Sequence, residues 1–272
     1  MSDNVDVVKT LQEKIEKYHP GSTIRAANKR PTNPPPQTRI GLFGGPGVGK
    51  SALINSFLYA TATDGLWTHS APEGYQSQTS TTRRRNVYDI SERLAVCDNR
   101  GMRDFSRQYM SEVQSQLVGV RADGTEVEWD RTFFQKFSAP LEWIFKAQEG
   151  QRIHCAVLVL SAKNLSIQPS DLRNLIDTVK RVTNQPPLVV ITHKDSQSDA
   201  RVLKDYKVSL EKEDIKDVFT IENYTFSDHQ YNYDKHRAAL EILHHCVIAA
   251  DEIMKVLPPA AAAERGSSCT IQ

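Results

Sequence analysis

The sequence predicts an α/β fold: a mostly parallel six-stranded sheet with one antiparallel edge strand and helices on both faces. Three observations carry this expectation. From residue 38 onward, apolar runs of strand length alternate with stretches of helical periodicity, the pattern of strands joined by crossover helices. Runs such as Ala-Val-Leu-Val-Leu at 156–160 and Leu-Val-Val-Ile at 188–191 are apolar throughout, as burial on both sheet faces requires. The strands expected near 85–90 and 93–98 are joined only by Ser91 and Glu92. A parallel crossover needs a dozen residues or more, so these two must pair antiparallel.

Taken in order, residues 4–18 place Val5, Val8, Leu11, Ile15 and Tyr18 on one helical face. A polar stretch from Pro20 to Thr38, with Pro34-Pro35-Pro36, reads as a linker. The first helix therefore either docks on the main domain or serves a partner. Residues 1–37 form this N-terminal unit, 38–257 the main domain and 258–272 a flexible tail. Within the main domain the pattern predicts strand 39–43, helix 50–61, the hairpin, helix 106–118 and strand 153–162. Helix 169–183, strand 187–192, helix 199–211, strand 217–222 and helix 233–257 follow. Residues 121–150 break the alternation and concentrate Trp129, Phe133, Phe134, Phe137, Trp143 and Phe145. They form either a helical insertion packed on its own domain or an exposed partner-binding surface.

Composition narrows the class. A formal net charge of +1 over 272 residues supplies no global field toward nucleic acid, so no nucleic-acid partner is expected. The run Arg83-Arg84-Arg85 is expected to be a solvated loop face. No stretch reaches the roughly 20 apolar residues of a membrane span, and the first residues lack the apolar core of a secretory signal. Cys97, Cys155, Cys246 and Cys269 lie far apart without metal-binding spacing. A reducing, cytoplasmic location fits them, and the sequons at Asn164 and Asn223 then carry no meaning.

The chemistry begins at Gly44-Gly45-Pro46-Gly47-Val48-Gly49-Lys50-Ser51, which matches the phosphate-binding pattern GxxxxGK[ST] between a strand and a helix. Glycines let backbone amides curl around phosphate oxygens, and the helix N-terminus, continuing through Ala52, adds partial positive charge. Lys50 is expected on the β- and γ-phosphates and Ser51 on Mg²⁺. The apolar strand ending in Asp98-Asn-Arg-Gly101 supplies a carboxylate toward the metal and a glycine whose amide can approach the γ-phosphate. Thr79, Thr81 and Thr82 qualify as the metal ligand from the first mobile loop, Thr82 being nearest the following strand.

Base choice rests on Thr192-His193-Lys194-Asp195 after the strand at 187–192. An aspartate there can take two N–H donors from guanine, a pair adenine lacks. A buried acceptor left unpaired would penalise the wrong base. His193 stands where a lysine is usual, and an imidazole can still stack on a base. In Ile221-Glu-Asn223-Tyr224-Thr225, the second base loop, a backbone amide would meet the base and Tyr224 could cover the ring. Met102 follows Gly101 where Ras-type GTPases carry the glutamine that orients water, and methionine cannot do that. Arg100 and Arg103 lie in the second switch and are the candidates for stabilising transferred charge, in cis or across a dimer. The terminal Cys269-Thr-Ile-Gln272 matches a farnesylation motif, and one lipid chain gives reversible membrane binding. His244 and His245 are adjacent on a helix, point to different faces and do not form a metal pair.

The runs GLFGGPGVGKSALINS, LAVCDNRGM, QRIHCAVLV, VVITHKD and FTIENYT resemble the GTPase domain of the interferon-induced protein 44 family and related animal proteins, over residues 38 to 257. The Asn-Arg-Gly after Asp98 and the Glu-Asn-Tyr-Thr before the last helix are specific to that resemblance. It implies a P-loop GTPase fold, GTP or GDP binding with Mg²⁺, a cytoplasmic location and a link to innate immunity. The prenylation motif departs from that family and is similar to guanylate-binding proteins, which implies membrane association. The expected function is a GTP-binding switch with slow hydrolysis, raised by dimerisation or a partner. The alternatives are a nucleotide-loaded scaffold that oligomerises without hydrolysis, and an ATP-using P-loop enzyme.

Overall fold

The computed structural model describes residues 2–24, 33–73, 83–127, 147–165, 167–196 and 200–256. Thr79, Thr81, Thr82, the six aromatic residues between 129 and 145, and Cys269 lie outside the described residues. The elements run α1 (Ser2–Glu16), β1 (Thr38–Phe43), α2 (Lys50–Thr61), β2 (Asn86–Ser91), β3 (Leu94–Asp98) and α3 (Arg107–Leu117). They continue with β4 (Cys155–Ser161), α4 (Pro169–Thr183), β5 (Leu188–Thr192), α5 (Ala200–Lys212), β6 (Val218–Thr220) and α6 (Tyr233–Val256).

The six strands form one sheet in the order β2-β3-β1-β4-β5-β6. Every neighbouring pair is parallel except β2 and β3, the pair whose connection is too short for a crossover. Along β4 the residues sort by parity: Cys155, Val157 and Val159 face one core, Ala156, Leu158 and Leu160 the other. The first core is covered by α1, α2 and α6, the second by α3, α4 and α5. Helices therefore cover both faces, which is why the central strands carry no polar alternation.

Local signals set the helix limits. In α4, Pro169 occupies the first turn, where its missing N–H is not needed, and Asn184 ends the helix at φ 58°. Leu172, Leu175, Ile176 and Val179 recur at helical spacing and are all buried. At the N-terminus, Val8, Leu11, Ile15 and Tyr18 belong to the first core, so α1 docks on the domain rather than standing off it. A buried carboxylate fixes the chain that follows. Asp251 of α6 accepts hydrogen bonds from Tyr18 Oη and the Gly21 amide at 2.7 Å, and from the Thr23 amide at 2.9 Å and hydroxyl at 2.7 Å. The Tyr18 proton is committed to Asp251, so Thr38 donates in the 2.7 Å contact between the two hydroxyls.

One basic expectation is overturned. Arg83 and Arg84 are exposed, but Arg85 is fully buried (0% exposed) rather than part of a solvated face. Its guanidinium donates to the carbonyls of Arg121 and Gln151 and lies 3.5 Å from the Asp123 carboxylate, which also binds Arg39. Residues 83–85 pair with 124–127 through the Arg85, Gly124 and Val127 amides. That pairing turns the Arg85 side chain inward, where a planar cation with several donors can be satisfied by carbonyls.

Candidate functional site

In a sheet of this order, β1 is flanked by β3 on one side and β4 on the other. Chain connections diverge there, and the crevice at the carboxyl ends of such strands is where open α/β sheets bind ligands. The glycine loop 44–49 leaves β1 at this point. It is packed so closely that a Cβ on Gly44 would stand 2.3 Å from the Val159 carbonyl oxygen of β4. Gly47 and Gly49 adopt φ of 70° and 90°, a left-handed backbone that favours glycine. Gly49 caps α2 without any side-chain hydrogen bond, so the first-turn amides of α2 are available to an anion.

Lys50 is buried, and its Nζ donates to the carbonyls of Gly45 at 2.9 Å and Gly44 at 3.3 Å. Burial lowers its pKa, and the Asp98 carboxylate opposes that shift. Ser51 Oγ donates to Asp98 Oδ2 at 2.9 Å, joining the start of α2 to the end of β3. Gly101 lies directly beneath the loop: a Cβ there would meet the Pro46 nitrogen at 2.6 Å and its Cα at 2.7 Å. The next residue, Met102, is 1% exposed, and its amide donates to the Gly44 carbonyl at 3.0 Å. The segment after β3 is thus seated against the loop by backbone, and its methionine is core. Arg100 donates to the Val127 carbonyl at 3.1 Å, whereas Arg103 is exposed.

The turns after β5 and β6 close the other side. The buried Thr192 hydroxyl lies 2.6 Å from the Val48 carbonyl, which takes its proton, and within 3.1 Å of Leu160 O. His193 has φ 55° and sets Nδ1 2.9 Å from Ser161 Oγ and 3.0 Å from Thr192 Oγ1. Its ring reaches the loop, with Cε1 3.4 Å from the position of a Cβ on Gly49. Burial, reinforced by the Lys163 charge, lowers its pKa to about 4, so the imidazole is neutral at pH 7. Lys194–Ser196 form a short 3-10 turn, and the Asp195 amide donates to Glu222 Oε2 at 3.2 Å. The Asp195 side chain is exposed.

In the second base loop the side chains of Asn223 and Tyr224 both turn inward. Asn223 is buried, and its Nδ2 donates to the Gly49 carbonyl at 3.2 Å. Tyr224 is also fully buried. Its ring stands edge-on to Tyr59 at 4.8 Å, and its hydroxyl contacts His236 Nδ1 at 2.7 Å and Asn232 O at 2.8 Å. It cannot cover a base, because an aromatic ring gains more in that apolar cluster than on an open face. Sequence reasoning passed over Asn55, one turn after Ser51 on the same helix face. Its side chain bonds both backbone groups of Ala71 and the Glu73 carboxylate at 2.8–2.9 Å, fixing residues 71–73 against α2. Its helical spacing from Ser51 was the available signal.

The residues fit a phosphate and a metal: a glycine loop seated by close backbone packing at Gly44 and Gly101, a buried ammonium beside it, and a hydroxyl–carboxylate pair at its base. No helix among the described residues is long and apolar enough to cross a membrane. The chain matches no protein-family model and no curated protein.

Proposed function

We propose that this chain is a guanine-nucleotide switch with a P-loop GTPase fold, similar to the interferon-induced protein 44 family. It binds GTP or GDP with Mg²⁺ and hydrolyses GTP slowly. The observation that carries the reading is the 2.9 Å hydrogen bond from Ser51 to the fully buried Asp98 beneath a glycine loop. Oxygen ligands of this kind suit Mg²⁺. Ser51 and Asp98 would hold the ion, and Lys50 with the loop amides would hold the phosphates. When bound, the ion neutralises charge on the phosphate oxygens. Lys50 is poised to exchange its carbonyl partners for phosphate, an anion that better compensates a buried ammonium.

Base preference is carried by Asp195, whose exposed carboxylate can accept two guanine N–H donors, and by the neutral His193 ring between that turn and the loop. Hydrolysis is slow in this reading because the side chain after Gly101 is a buried methionine, which cannot orient water. Arg103 is exposed and available to a second copy, the geometry of an arginine supplied in trans. The buried Met102 also favours a second reading, a nucleotide-loaded scaffold whose output is oligomerisation without turnover.

Thermal unfolding with GDP against ADP tests the base. At about one hundred times its Kd, GDP should add about 2.7 kcal/mol of stability, and equal protection by ADP would defeat the guanine assignment. Single-turnover assays with bound GTP separate the two readings: absence of phosphate release at every protein concentration leaves only the scaffold.

A further inference from the structure

Two adjacent side chains after β6 reach two different loops of the site. Glu222 accepts the Asp195 amide at 3.2 Å. Asn223 donates from Nδ2 to the Gly49 carbonyl at 3.2 Å, and Ser56 Oγ of α2 lies 3.5 Å from its Oδ1. Successive side chains in extended chain point in opposite directions, so one short segment can hold the base turn with one residue and the phosphate loop with the next.

The segment is itself rigidly held. On one side Ile221 is fully buried, with its amide bonded to Ile191 O at 2.9 Å. On the other, the Tyr224 amide donates to Ser56 Oγ at 2.9 Å, and the Tyr224 hydroxyl is committed to His236 and Asn232. With both ends fixed, displacement of the 194–196 turn bears on Asn223 rather than dissipating along the chain. Gly49 is the residue on which this matters, because it stands at φ 90° immediately before Lys50 and caps α2. Holding its carbonyl, as Thr192 holds that of Val48, keeps the adjoining amides directed toward the anion.

We propose that Glu222 and Asn223 are positioning residues that couple base recognition to phosphate binding, so that seating a guanine at Asp195 tightens the grip of the glycine loop. The coupling rests on the guanine-nucleotide reading above. It needs neither side chain to touch the nucleotide, and it takes the place of the expected Tyr224 ring over the base, since that ring is fully buried.

The test uses the full chain. GDP affinity is measured by titration calorimetry for the unsubstituted protein, Glu222→Ala, Asn223→Ala and the double variant. Each single change should weaken GDP about tenfold, the effect of one hydrogen bond lost at a constrained site. The double variant should fall short of the roughly hundredfold product by at least about threefold, because the two residues act through one segment. Effects that simply multiply would overturn the coupling. Hydrogen exchange of the nucleotide-free chain supplies a readout independent of any ligand and of whether Asn223→Ala folds. Glu222→Ala should speed exchange at the amides of 48–51, which Glu222 does not touch, and unchanged exchange there would also overturn it. Failure of the unsubstituted chain to bind GDP, with exchange responding as expected, would defeat the guanine reading and leave the mechanical link between the two loops standing.

Discussion

Substituting Gly101 by alanine isolates the contact between the segment after β3 and the glycine loop. A Cβ at this position would meet three backbone atoms: Pro46 N at 2.6 Å, Pro46 Cα at 2.7 Å and the Gly45 carbonyl carbon at 3.0 Å. No flexible side chain is available to yield, so the loop must move. Restoring ordinary van der Waals separation takes about 0.8 Å at the closest contact, over a potential that rises steeply below it. Gly101 does not have the left-handed backbone of Gly47 or Gly49, so conformational strain adds nothing and the whole effect is steric. Overpacking of this kind costs about 1–3 kcal/mol of stability. Binding should suffer by a similar amount, since a misplacement near 1 Å at a positioned site costs about a hundredfold. The expected result is a folded Gly101→Ala chain with GDP affinity reduced by between ten- and a hundredfold, read by calorimetry beside a thermal melt. Gly65→Ala is the control: that residue has φ 66° with nothing within 4 Å of its Cβ position, so it should lose about 1 kcal/mol from backbone strain and keep its affinity. GDP binding by Gly101→Ala at the unsubstituted affinity would refute the argument that this glycine exists to admit the loop.

Two further outcomes follow from buried groups. Asp251→Ala leaves four donors without their carboxylate and should destabilise the chain by about 3–5 kcal/mol, lowering its melting temperature by roughly 6–12 °C, whereas exposed Glu252→Ala should cost under about 0.5 kcal/mol. A loss below about 1 kcal/mol for Asp251→Ala in urea unfolding would show that the 18–23 turn is not held by this residue. For pH, burial depresses both His193 and His236 to about 4, below the unfolded value of 6.5. The unfolded chain therefore binds more protons in that interval, so their contribution is complete above pH 6.5 and is lost as pH falls toward 4. Urea midpoints should fall across this window, and His236→Gln should flatten the slope; an unchanged slope would sink the assignment to His236.

Much of this architecture was legible because it depends on patterns that tertiary packing does not override. A two-residue link, expected at Ser91-Glu92 and found one residue on at Glu92-Arg93, dictated an antiparallel pair, and the unbroken apolar run at 156–160 dictated a strand covered on both faces. A motif and a strand end singled out Ser51 and Asp98 separately, but not the direct hydrogen bond between them. What stayed hidden depends on which way a side chain turns once a neighbouring segment arrives. Nothing in Arg83-Arg84-Arg85 distinguishes its third member, and only pairing with 124–127 drives Arg85 inward. Asn223 and Tyr224 were assigned to the base by position after a strand, yet that position is satisfied equally by a turn that braces the loop. Sequence order identifies the turn and not its contacts.

The site can be ranked by how firmly each part is held without a ligand. Gly44, Gly101 and Met102 are locked by backbone contacts that no single side chain controls, and Thr192 and Asn223 hold consecutive loop carbonyls. The glycine loop is therefore pre-organised, and an anion bound there would not have to order it first. The base side is different: Asp195 is exposed on a short turn whose amide is held by one glutamate. Discrimination among bases would then depend on how well that turn is supported rather than on the aspartate alone. Under the proposed reading, such a chain would hold the nucleotide chiefly through its phosphates and meet the base at Asp195, with Glu222 supporting that turn. That division would also fit the proposed switch with its buried Met102. Strong phosphate binding requires only the loop, Lys50 and Ser51, whereas turnover needs a water-orienting group or a charge delivered from outside, the role left to exposed Arg103.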